Sequence, residues 1–379
     1  MTATPAPKAP AMQLPHSTRA REVLSQLTAL QTRFRDGLNA LSTRYADGAT
    51  LTRADWLRDG GAHGGGWRYG GQEGSPFDGG LLNRGSLNVS CVHYDDLPKA
   101  LSSATALSCI VHPAHPTAPS LHTHISWTEL RGGEGGGWRL MADLNPSMPR
   151  AEDTARFLQE IEESLAPLAP QWRAYARAQG DKYFEIPSLK RHRGVAHFYL
   201  EQWSSGDAGT DAAVAVGFGE RVIDTYLALL AGSLDRAQGD AGALGAVSEA
   251  QREAQLAYHS AYFLQVLLLD RGTSSGLLVH DQNDRGILGS LPQRVSAPLL
   301  RAWVPLQPPL QGELLTLLLD ALPSEPVVTL TDDLRATLAQ VCRAFYRAHP
   351  AALELQARGD VLPPTVAHHV APEGAALGG

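Results

Sequence analysis

The stretch from residue 108 to residue 143 constrains the fold more than any other part of the chain. It opens with β-branched residues, continues through three prolines that a helix interior does not accommodate, and then alternates polar and apolar side chains. This period-two alternation places His122, His124 and Ser126 on one face of a strand. A glycine-rich turn leads to a further strand that ends at Asp143. We therefore predict three neighbouring strands that bring imidazoles, hydroxyls and a carboxylate to one region.

Patterns elsewhere predict more strands. Residues 87–93 alternate, with Asn88, Ser90 and Val92 on one face, and the apolar-aromatic run at 195–203 is typical of a strand. Period-two patterning therefore extends to both sides of the central stretch.

Three other segments are harder to assign. The near-continuous apolar run at 262–269 is followed by Asp270-Arg271-Gly272-Thr273 and then by 277–280, a pattern that favours a buried hairpin with a charged turn. A short strand is expected at 287–292. Glycine is so frequent at 60–80 that we predict irregular structure there, either a mobile loop over a site or a surface excursion.

Helical spacing of apolar residues predicts the remaining elements. Prolines should interrupt the second of them, at Pro167 and Pro170. The expected helices cover residues 19–45, 151–178, 218–231, 245–258, 314–322 and 331–348.

The composition, with 43% hydrophobic and 19% charged residues, is that of an ordinary soluble globular protein. The net charge of -7 argues against a nucleic-acid or anionic-membrane partner, because phosphate binding depends on Lys and Arg. No apolar run reaches the roughly 18 residues of a membrane helix, and we expect no signal peptide. The three cysteines lack CxxC spacing, which favours a reducing, cytoplasmic location.

Three chemistries compete for the polar residues of the predicted strands. A zinc site is one hypothesis, although the spacing of its candidate ligands follows no known rule; those ligands are His112, His122, His124 and Asp143. A Ser/His/Asp hydrolase is disfavoured, since no GxSxG motif is present. The third hypothesis is binding of a polyanionic small molecule, with histidines as proton donors and carboxylates held by Arg84, Arg193 and Arg271.

Six short motifs follow one another along the chain. They are Asn88-Val89-Ser90-Cys91-Val92-His93, Ser108-Cys109-Ile110-Val111-His112-Pro113 with His122 downstream, Asp143-Leu144-Asn145-Pro146, Arg193-Gly194, Asp270-Arg271-Gly272-Thr273, and Ile287-Leu288-Gly289-Ser290-Leu291-Pro292. In this order the chain resembles the oxygen-dependent coproporphyrinogen oxidases over roughly residues 20–305. Each motif alone is weak, but six in register indicate a common fold.

This resemblance implies an α+β fold with a large, mainly antiparallel β-sheet flanked by helices on both faces. It also implies a homodimer with a deep cleft for a tetrapyrrole. The family's reaction is oxidative decarboxylation of two propionates of coproporphyrinogen III to vinyl groups, which forms protoporphyrinogen IX in haem biosynthesis. Molecular oxygen is the expected co-substrate, and neither an organic cofactor nor a metal is expected.

The resemblance further implies roles for individual residues. Asp143 would accept hydrogen bonds from the pyrrole N–H groups and act as a base, whereas His112 and His122 would supply protons to oxygen-derived intermediates. The expected substrate-binding residues are Asn88, Ser90, Ser108, Arg193, Asp270 and Arg271.

The chain departs from the family pattern at several positions. Ser126 stands where the family has a propionate-binding arginine, and Asp281-Gln282-Asn283 replaces a Gly-Gly-Arg sequence. Leu158 and Ser188 stand near positions of histidines proposed as metal ligands in bacterial members. Two alternatives therefore stay open: a tetrapyrrole-binding carrier or regulator without catalysis, and an oxidase of another pyrrolic acid.

The expected domain organisation has four parts. A disordered tail at 1–16 precedes an oxidase-like domain at 17–305. A small helical C-terminal extension follows at 306–360, and a second disordered tail at 361–379.

Overall fold

The computed structural model describes residues 11–71, 80–131, 136–238, 244–356 and 369. At its centre is a seven-stranded sheet in which all neighbouring strands are antiparallel. In chain order the strands are β1 (Thr52–Leu57), β2 (Gly64–Gly70), β3 (Leu82–His93), β4 (Leu101–Pro113), β5 (Ser120–Leu130), β6 (Gly136–Asn145), β7 (Glu185–Ile186), β8 (Arg191–His192), β9 (Ala196–Trp203), β10 (Arg294–Ser296) and β11 (Val327–Thr329). The central sheet has the spatial order β1-β2-β3-β4-β5-β6-β9, and β7–β8 and β10–β11 form two small sheets.

Ten α-helices are found among the described residues. They are α1 (Thr18–Tyr45), α2 (Ala151–Ser164), α3 (Pro170–Phe184), α4 (Ala208–Ala237), α5 (Glu249–Leu268), α6 (Arg271–Val279), α7 (Asp284–Ile287), α8 (Ala297–Trp303), α9 (Pro309–Ala321) and α10 (Asp332–Ala348). None of these helices has the length and apolar character that crossing a membrane requires.

Alternation along the strands gives the sheet two different faces. Leu87, Val89 and Cys91 of β3 are buried in a core shared with α1, α2 and α4. The residues between them are polar and lie on the opposite face, as Asn88 and Ser90 do. Helices α5 and α6 cover that polar face and belong to a second core, together with α8, α9 and α10. The predicted α+β fold with helices on both faces is confirmed.

Five of the predicted strand segments, at 87–93, 107–112, 122–130, 138–143 and 195–203, lie in the central sheet, as expected. The six predicted helical regions are helical too, and the second is divided into α2 and α3, with Pro170 as the first residue of α3.

The hairpin predicted from the apolar run at 262–269 is wrong. That run is the C-terminal part of α5, and 277–280 ends α6. Every residue from Tyr258 to Leu268 is buried, because α5 lies between the sheet and the other helices. A helix enclosed on all sides is apolar all round and shows no periodicity that distinguishes it from a buried strand.

The strand predicted at 287–292 is also wrong, since this segment contains the end of α7 and a short 3₁₀ turn at Leu288–Ser290. Its carbonyl groups are bound by side chains instead of by a neighbouring strand. Arg84 Nε donates to the Gly289 carbonyl over 3.0 Å, and Arg335 Nη2 donates to those of Leu291 and Pro292 over 3.1 Å each. Buried side-chain donors therefore replace a sheet ladder here.

The irregular structure predicted at 60–80 is wrong in part. Residues 64–70 form β2, which pairs with β1 and β3, whereas 72–79 lie outside the described residues. A Cβ atom on Gly66 would collide with the carbonyl oxygen of Val89. The glycines are thus a condition for close approach of the strands rather than a sign of irregularity.

The two ends of the chain bear on the predicted division into parts. Residues 1–10 lie outside the described residues, but Gln13 donates its backbone N–H to the Gly61 carbonyl, and His16 donates its own to Asp95. Helices α9 and α10 share one core with α5. In the tail predicted at 361–379, only residue 369 is described. The domain division as a whole stays a prediction.

Candidate active site

A cavity of about 240 Å³ lies between the polar face of the sheet and helices α5 and α6. Its floor carries small and polar side chains from adjacent strands, among them Asn88, Ser90, Ser108, His122 and His124. Tyr262 of α5 and Asp270, which precedes α6, line it from the helical side. Because neighbouring strands pair in antiparallel register, residues from distant motifs meet on this floor: Asn88 lies opposite Ser108, and Ser108 opposite His124.

A buried ion pair lies behind the cavity wall. Neither Arg193 nor Asp143 has exposed side-chain surface, and Arg193 Nε donates to Asp143 Oδ2 over 2.8 Å. The guanidinium carbon lies 4.4 Å from the ring centre of Phe184 and 4.8 Å from that of Tyr262. Burial lowers the pKa of Arg193, but the attraction of Asp143, Tyr262, Asp270 and Tyr258 together outweighs it and raises the pKa overall, so the guanidinium stays charged.

Arg193 also determines the proton position on His122. Its Nη2 lies 2.6 Å from Nδ1 of His122, and arginine can only donate, so Nδ1 is the acceptor and Nε2 carries the proton. Burial, aided by the charge of Arg193, lowers the pKa of His122 well below its ordinary value. The imidazole that lines the cavity is therefore neutral and has one N–H to donate.

Asp270 is a carboxylate at the cavity surface. Its Oδ1 caps α6 by accepting from the Thr273 backbone N–H over 2.9 Å, and it also accepts from the Tyr183 hydroxyl over 3.0 Å. Its Oδ2 lies 3.9 Å from Arg193 Nη1 and has no hydrogen-bond partner among the described residues. Oδ1 therefore caps α6, and Oδ2 can accept a hydrogen bond from a ligand.

Asp143 has a second environment on its other side. Its Oδ1 has no hydrogen-bond partner among the described residues and lies 3.5 Å from Nε2 of His197, which also has none. Nδ1 of His197 is 2.8 Å from Asp181 Oδ1. A Cβ atom on Gly194 would collide with Asp143 Oδ1, so glycine is needed where the backbone passes this carboxylate.

Comparison with known proteins bears on the meaning of this arrangement. Residues 22–299 match the model of the family described as coproporphyrinogen III oxidase. The chain belongs to this family. Two proteins of Rickettsia bellii, from strains OSU 85-389 and RML369-C, are each named oxygen-dependent coproporphyrinogen-III oxidase, and each is 27% identical to it over 258 residues. The alignment covers 65% of this chain and 84% of each relative. The resemblance carried by the six motifs is confirmed.

The residues singled out from the coproporphyrinogen oxidase motifs fall into two groups. The residues that line the cavity are Asn88, Ser90, Ser108, His122 and Asp270. Four others lie away from it: Asp143, Arg193, His112 and Arg271. Asp143 and His122 are nevertheless direct neighbours on β6 and β5, as predicted. The roles expected of all nine residues stay predictions.

Arg271 does not point into the cavity, although its motif neighbour Asp270 does. Its Nη1 donates to the Leu353 carbonyl over 2.6 Å and lies 3.6 Å from Glu354, near the end of the described C-terminal segment. The predicted hairpin would have placed this residue in a turn, whereas Arg271 is the first residue of α6 and its side chain contacts the 353–354 segment.

His112 is held by the protein at both ring nitrogens. Its Nε2 donates to the Ser290 carbonyl over 3.1 Å, and the Ser120 hydroxyl lies 3.0 Å from Nδ1. Its ring packs against Tyr262 with centroids 4.7 Å apart. His112 therefore joins β4 to the 288–290 turn and has no free ring nitrogen for a substrate.

Other cavity residues were not predicted from the sequence, among them Arg139, Tyr183 and Tyr199. Arg139 pairs with Glu201, and the Tyr199 hydroxyl also donates to that carboxylate. Period-two alternation was sufficient to find Arg139, since it lies four residues before Asp143 on the same strand and hence on the same face. No comparable signal marks Tyr183, because it belongs to a helix end that reaches the site only through folding.

The described residues contain no group of three or more His, Cys, Asp or Glu side chains arranged to hold a metal ion. Two of the zinc ligands considered from the sequence have ring nitrogens that already form hydrogen bonds within the protein. His112 bonds to Ser120 and Ser290, and Nδ1 of His122 accepts from Arg193.

Several buried or half-buried histidines predict how the free energy of unfolding depends on pH. Burial lowers the pKa values of His124, His259 and His280 to about 3, and those of His112 and His122 well below the ordinary value. These groups stay neutral in the folded protein, whereas the unfolded chain binds protons below about pH 6.5. Each therefore lowers the free energy of unfolding by up to about 1.4 kcal/mol per pH unit as the pH falls from about 6.5 towards 3.

The measurement is urea denaturation at intervals from pH 7.5 to pH 5. We expect His259→Asn to flatten the dependence on pH, even though it loses stability at pH 7. His16→Gln is the matched control, because the His16 side chain is 80% exposed. A free energy of unfolding that is constant over this range would contradict the prediction.

Proposed function

We propose that this chain is an oxygen-dependent coproporphyrinogen III oxidase that forms protoporphyrinogen IX in haem biosynthesis. The proposal is carried by one observation: within the region that matches the family, the carboxylate of Asp270 and the neutral imidazole of His122 line the same cavity. The buried guanidinium of Arg193 lies next to both, 2.6 Å from His122 Nδ1 and 3.9 Å from Asp270 Oδ2. The name of the Rickettsia relatives supports the same reaction.

The chemistry to be performed is the same at each propionate. A –CH₂–CH₂–COO⁻ group loses carbon dioxide and a hydride equivalent to become –CH=CH₂. The two electrons released reduce molecular oxygen, which takes up two protons and becomes hydrogen peroxide. The site must therefore bind an electron-rich pyrrole, exclude bulk water and deliver protons to reduced oxygen.

Asp270 fits the first task. A porphyrinogen directs pyrrole N–H donors towards its centre, and Oδ2 of Asp270 has no hydrogen-bond partner among the described residues. The family resemblance implied this role for Asp143, but that side chain has no exposed surface. In our proposal Asp143 neutralises and positions Arg193. Asp270 accepts hydrogen bonds from the pyrrole N–H groups and takes the proton that a pyrrole nitrogen releases.

His122 fits the second task. Its Nε2 carries the proton because Nδ1 accepts from Arg193, and its side chain lines the cavity. It donates this N–H as a hydrogen bond to the reduced oxygen and stabilises the negative charge that forms there. The guanidinium beside Nδ1 keeps the proton on Nε2, so this donor is present whenever the Asp143–Arg193 pair is intact.

The test begins with anaerobically prepared coproporphyrinogen III, to which oxygen is admitted. We expect the wild type to release carbon dioxide and form protoporphyrinogen IX. Asp270→Asn should lower turnover about 10²- to 10⁴-fold, the range of general acid–base contributions. The fold should persist, because asparagine caps helices as well as aspartate does.

A matched control exists in the same chain. Asp207 caps α4 by accepting from the Thr210 backbone N–H over 2.7 Å, but it does not line the cavity. Asp207→Asn should leave turnover unchanged. A wild type that binds the porphyrinogen without releasing carbon dioxide would favour the carrier alternative, and one that neither binds nor converts it would favour another substrate.

We further propose that the enzyme is a cytoplasmic homodimer that uses oxygen as co-substrate without an organic cofactor or metal. Its three cysteines, Cys91, Cys109 and Cys342, are buried and unpaired, which suits a reducing compartment. Light scattering tests the dimer. Elemental analysis, with turnover measured before and after chelation, tests the metal; activity restored by one added metal would contradict this part of the proposal.

A further inference from the structure

The arginines expected to hold substrate carboxylates are engaged elsewhere. Arg193 is buried against Asp143, Arg271 donates to the Leu353 carbonyl, and Arg84 donates to the Gly289 carbonyl. Among the described residues, the arginine that lines the cavity is Arg139 of β6. A substrate carboxylate that enters this cavity therefore meets a different guanidinium from those of the family motifs.

Arg139 is arranged so that one nitrogen is left for a ligand. Its Nε donates to Glu201 Oε2 over 2.6 Å, and its Nη2 to Oε1 over 3.1 Å. Its Nη1 has no hydrogen-bond partner in the part of the chain that the structure describes. The side chain of Glu201 is 3% exposed and that of Arg139 is 17% exposed, so the guanidinium is the member of the pair that faces the cavity.

The electrostatics keep this guanidinium charged. Burial lowers the pKa of Arg139, but Glu201, Tyr199 and Tyr183 together outweigh it and raise the pKa overall. Glu201 also accepts from the Tyr199 hydroxyl, so its carboxylate is fixed from two sides. A fixed, paired guanidinium loses little side-chain freedom when a second carboxylate binds to it.

Arg139 is connected to Asp270 across the cavity. The ring of Tyr199 stacks on that of Tyr183, with centroids 4.7 Å apart and planes 11° apart. The Tyr183 hydroxyl donates to Asp270 Oδ1 over 3.0 Å. If a pyrrole of the substrate is bound at Asp270, its propionate group would extend past the rings of Tyr183 and Tyr199 towards Arg139.

The position of Arg139 also matches a gap in the sequence pattern. Ser126 of β5 occupies a position where the family resemblance leads us to expect an arginine, and in the sheet register Ser126 lies directly opposite Arg139. Both residues line the cavity. A guanidinium is therefore present on β6, directly opposite the position on β5 where one was expected.

We propose that Arg139 binds one carboxylate of the substrate through Nη1 and makes this site selective for pyrroles that carry carboxylate groups. The inference rests on the proposed function for the identity of the substrate. Its test is equilibrium binding, which does not require turnover. The probes are coproporphyrin III and its uncharged tetra-amide, and binding of each is measured by the quenching of porphyrin fluorescence.

Arg139→Gln should weaken binding of the tetra-acid about 10- to 100-fold, the loss expected for one charge-assisted hydrogen bond. Binding of the tetra-amide should be little changed. Arg139→Lys should recover part of the affinity, because lysine restores the charge but not the planar donor geometry. Arg33→Gln is the matched control, since Arg33 forms a bidentate pair with Asp224 away from the cavity.

The exchange variant R139S/S126R gives an independent measurement. It returns a guanidinium to the opposite strand and should bind the tetra-acid more tightly than Arg139→Ser alone. In turnover, Arg139→Gln should raise KM more than it lowers kcat.

Each contrary result has a distinct meaning. Equal weakening of both porphyrins by Arg139→Gln would show a purely structural role and overturn the inference, as would tighter binding of the tetra-acid or a wild type that binds neither porphyrin. Arg139-dependent binding without turnover would instead leave this inference standing and overturn the proposed oxidase activity.

Discussion

Asp143→Asn is expected to lower the free energy of unfolding by about 3–5 kcal/mol, the loss typical of a buried charge deprived of its partner. Arg193 has no exposed side-chain surface, and its Nη2 lies 2.7 Å from Asp143 Oδ2. Asp270, the other carboxylate near it, lies 3.9 Å away. The substitution keeps the shape of the side chain and removes its charge, so Arg193 is left in the interior without a close counter-ion. Urea denaturation at pH 7 measures the change.

The control for this prediction is an exposed pair. Asp55 and Arg53 lie 2.6 Å apart, with side chains 61% and 49% exposed. Asp55→Asn should change the free energy of unfolding by less than about 1 kcal/mol. If Asp143→Asn has an equally small effect, the Asp143–Arg193 pair does not stabilise the fold as described.

A double substitution separates stability from catalysis. Asp143→Leu combined with Arg193→Met removes both charges and should recover part of the stability lost in Asp143→Asn. It also removes the donor that sets the tautomer of His122. Under the proposed function, the double variant should therefore be more stable than Asp143→Asn and still inactive.

Ending the chain at Leu330, which removes α10, is expected to abolish folding. The helix buries Leu338, Phe345 and Tyr346 against the core that contains α5. Each such side chain contributes about 1.5–3 kcal/mol, so their sum is comparable with the roughly 5–15 kcal/mol of a whole folded protein. The truncated chain should be insoluble or lack the circular dichroism of the full chain.

A graded form of this experiment keeps the chain intact. Leu338→Ala should lower the free energy of unfolding by about 2–5 kcal/mol, because Leu338 has no exposed surface. Leu317→Ala is the control, since Leu317 on α9 is 42% exposed. A soluble, folded truncation product would show that the segment after Leu330, which lies beyond the family match at 22–299, is dispensable for folding, contrary to the shared core.

The strands of the sheet could be predicted wherever one face is apolar and the other polar. Leu87 and Val89 alternate with Asn88 and Ser90, and this alternation directly reflects a core on one side and a cavity on the other. The same logic failed for α5, where a core on all sides removes the period. It failed again for 287–292, because Arg84, His112 and Arg335 supply the hydrogen bonds that a strand would otherwise make.

The family, the antiparallel sheet and several polar residues on its cavity face could be predicted from the sequence alone, because motif order and alternation are properties of neighbours along the chain. Which of those residues line the cavity depends on the tertiary structure. Asp143 and Arg193 are 50 residues apart in sequence and neutralise each other out of reach of the cavity. Arg139 faces the cavity because Glu201, 62 residues further on, holds it there. Such pairings depend on burial and register between distant segments, and these become defined only when the sheet has formed.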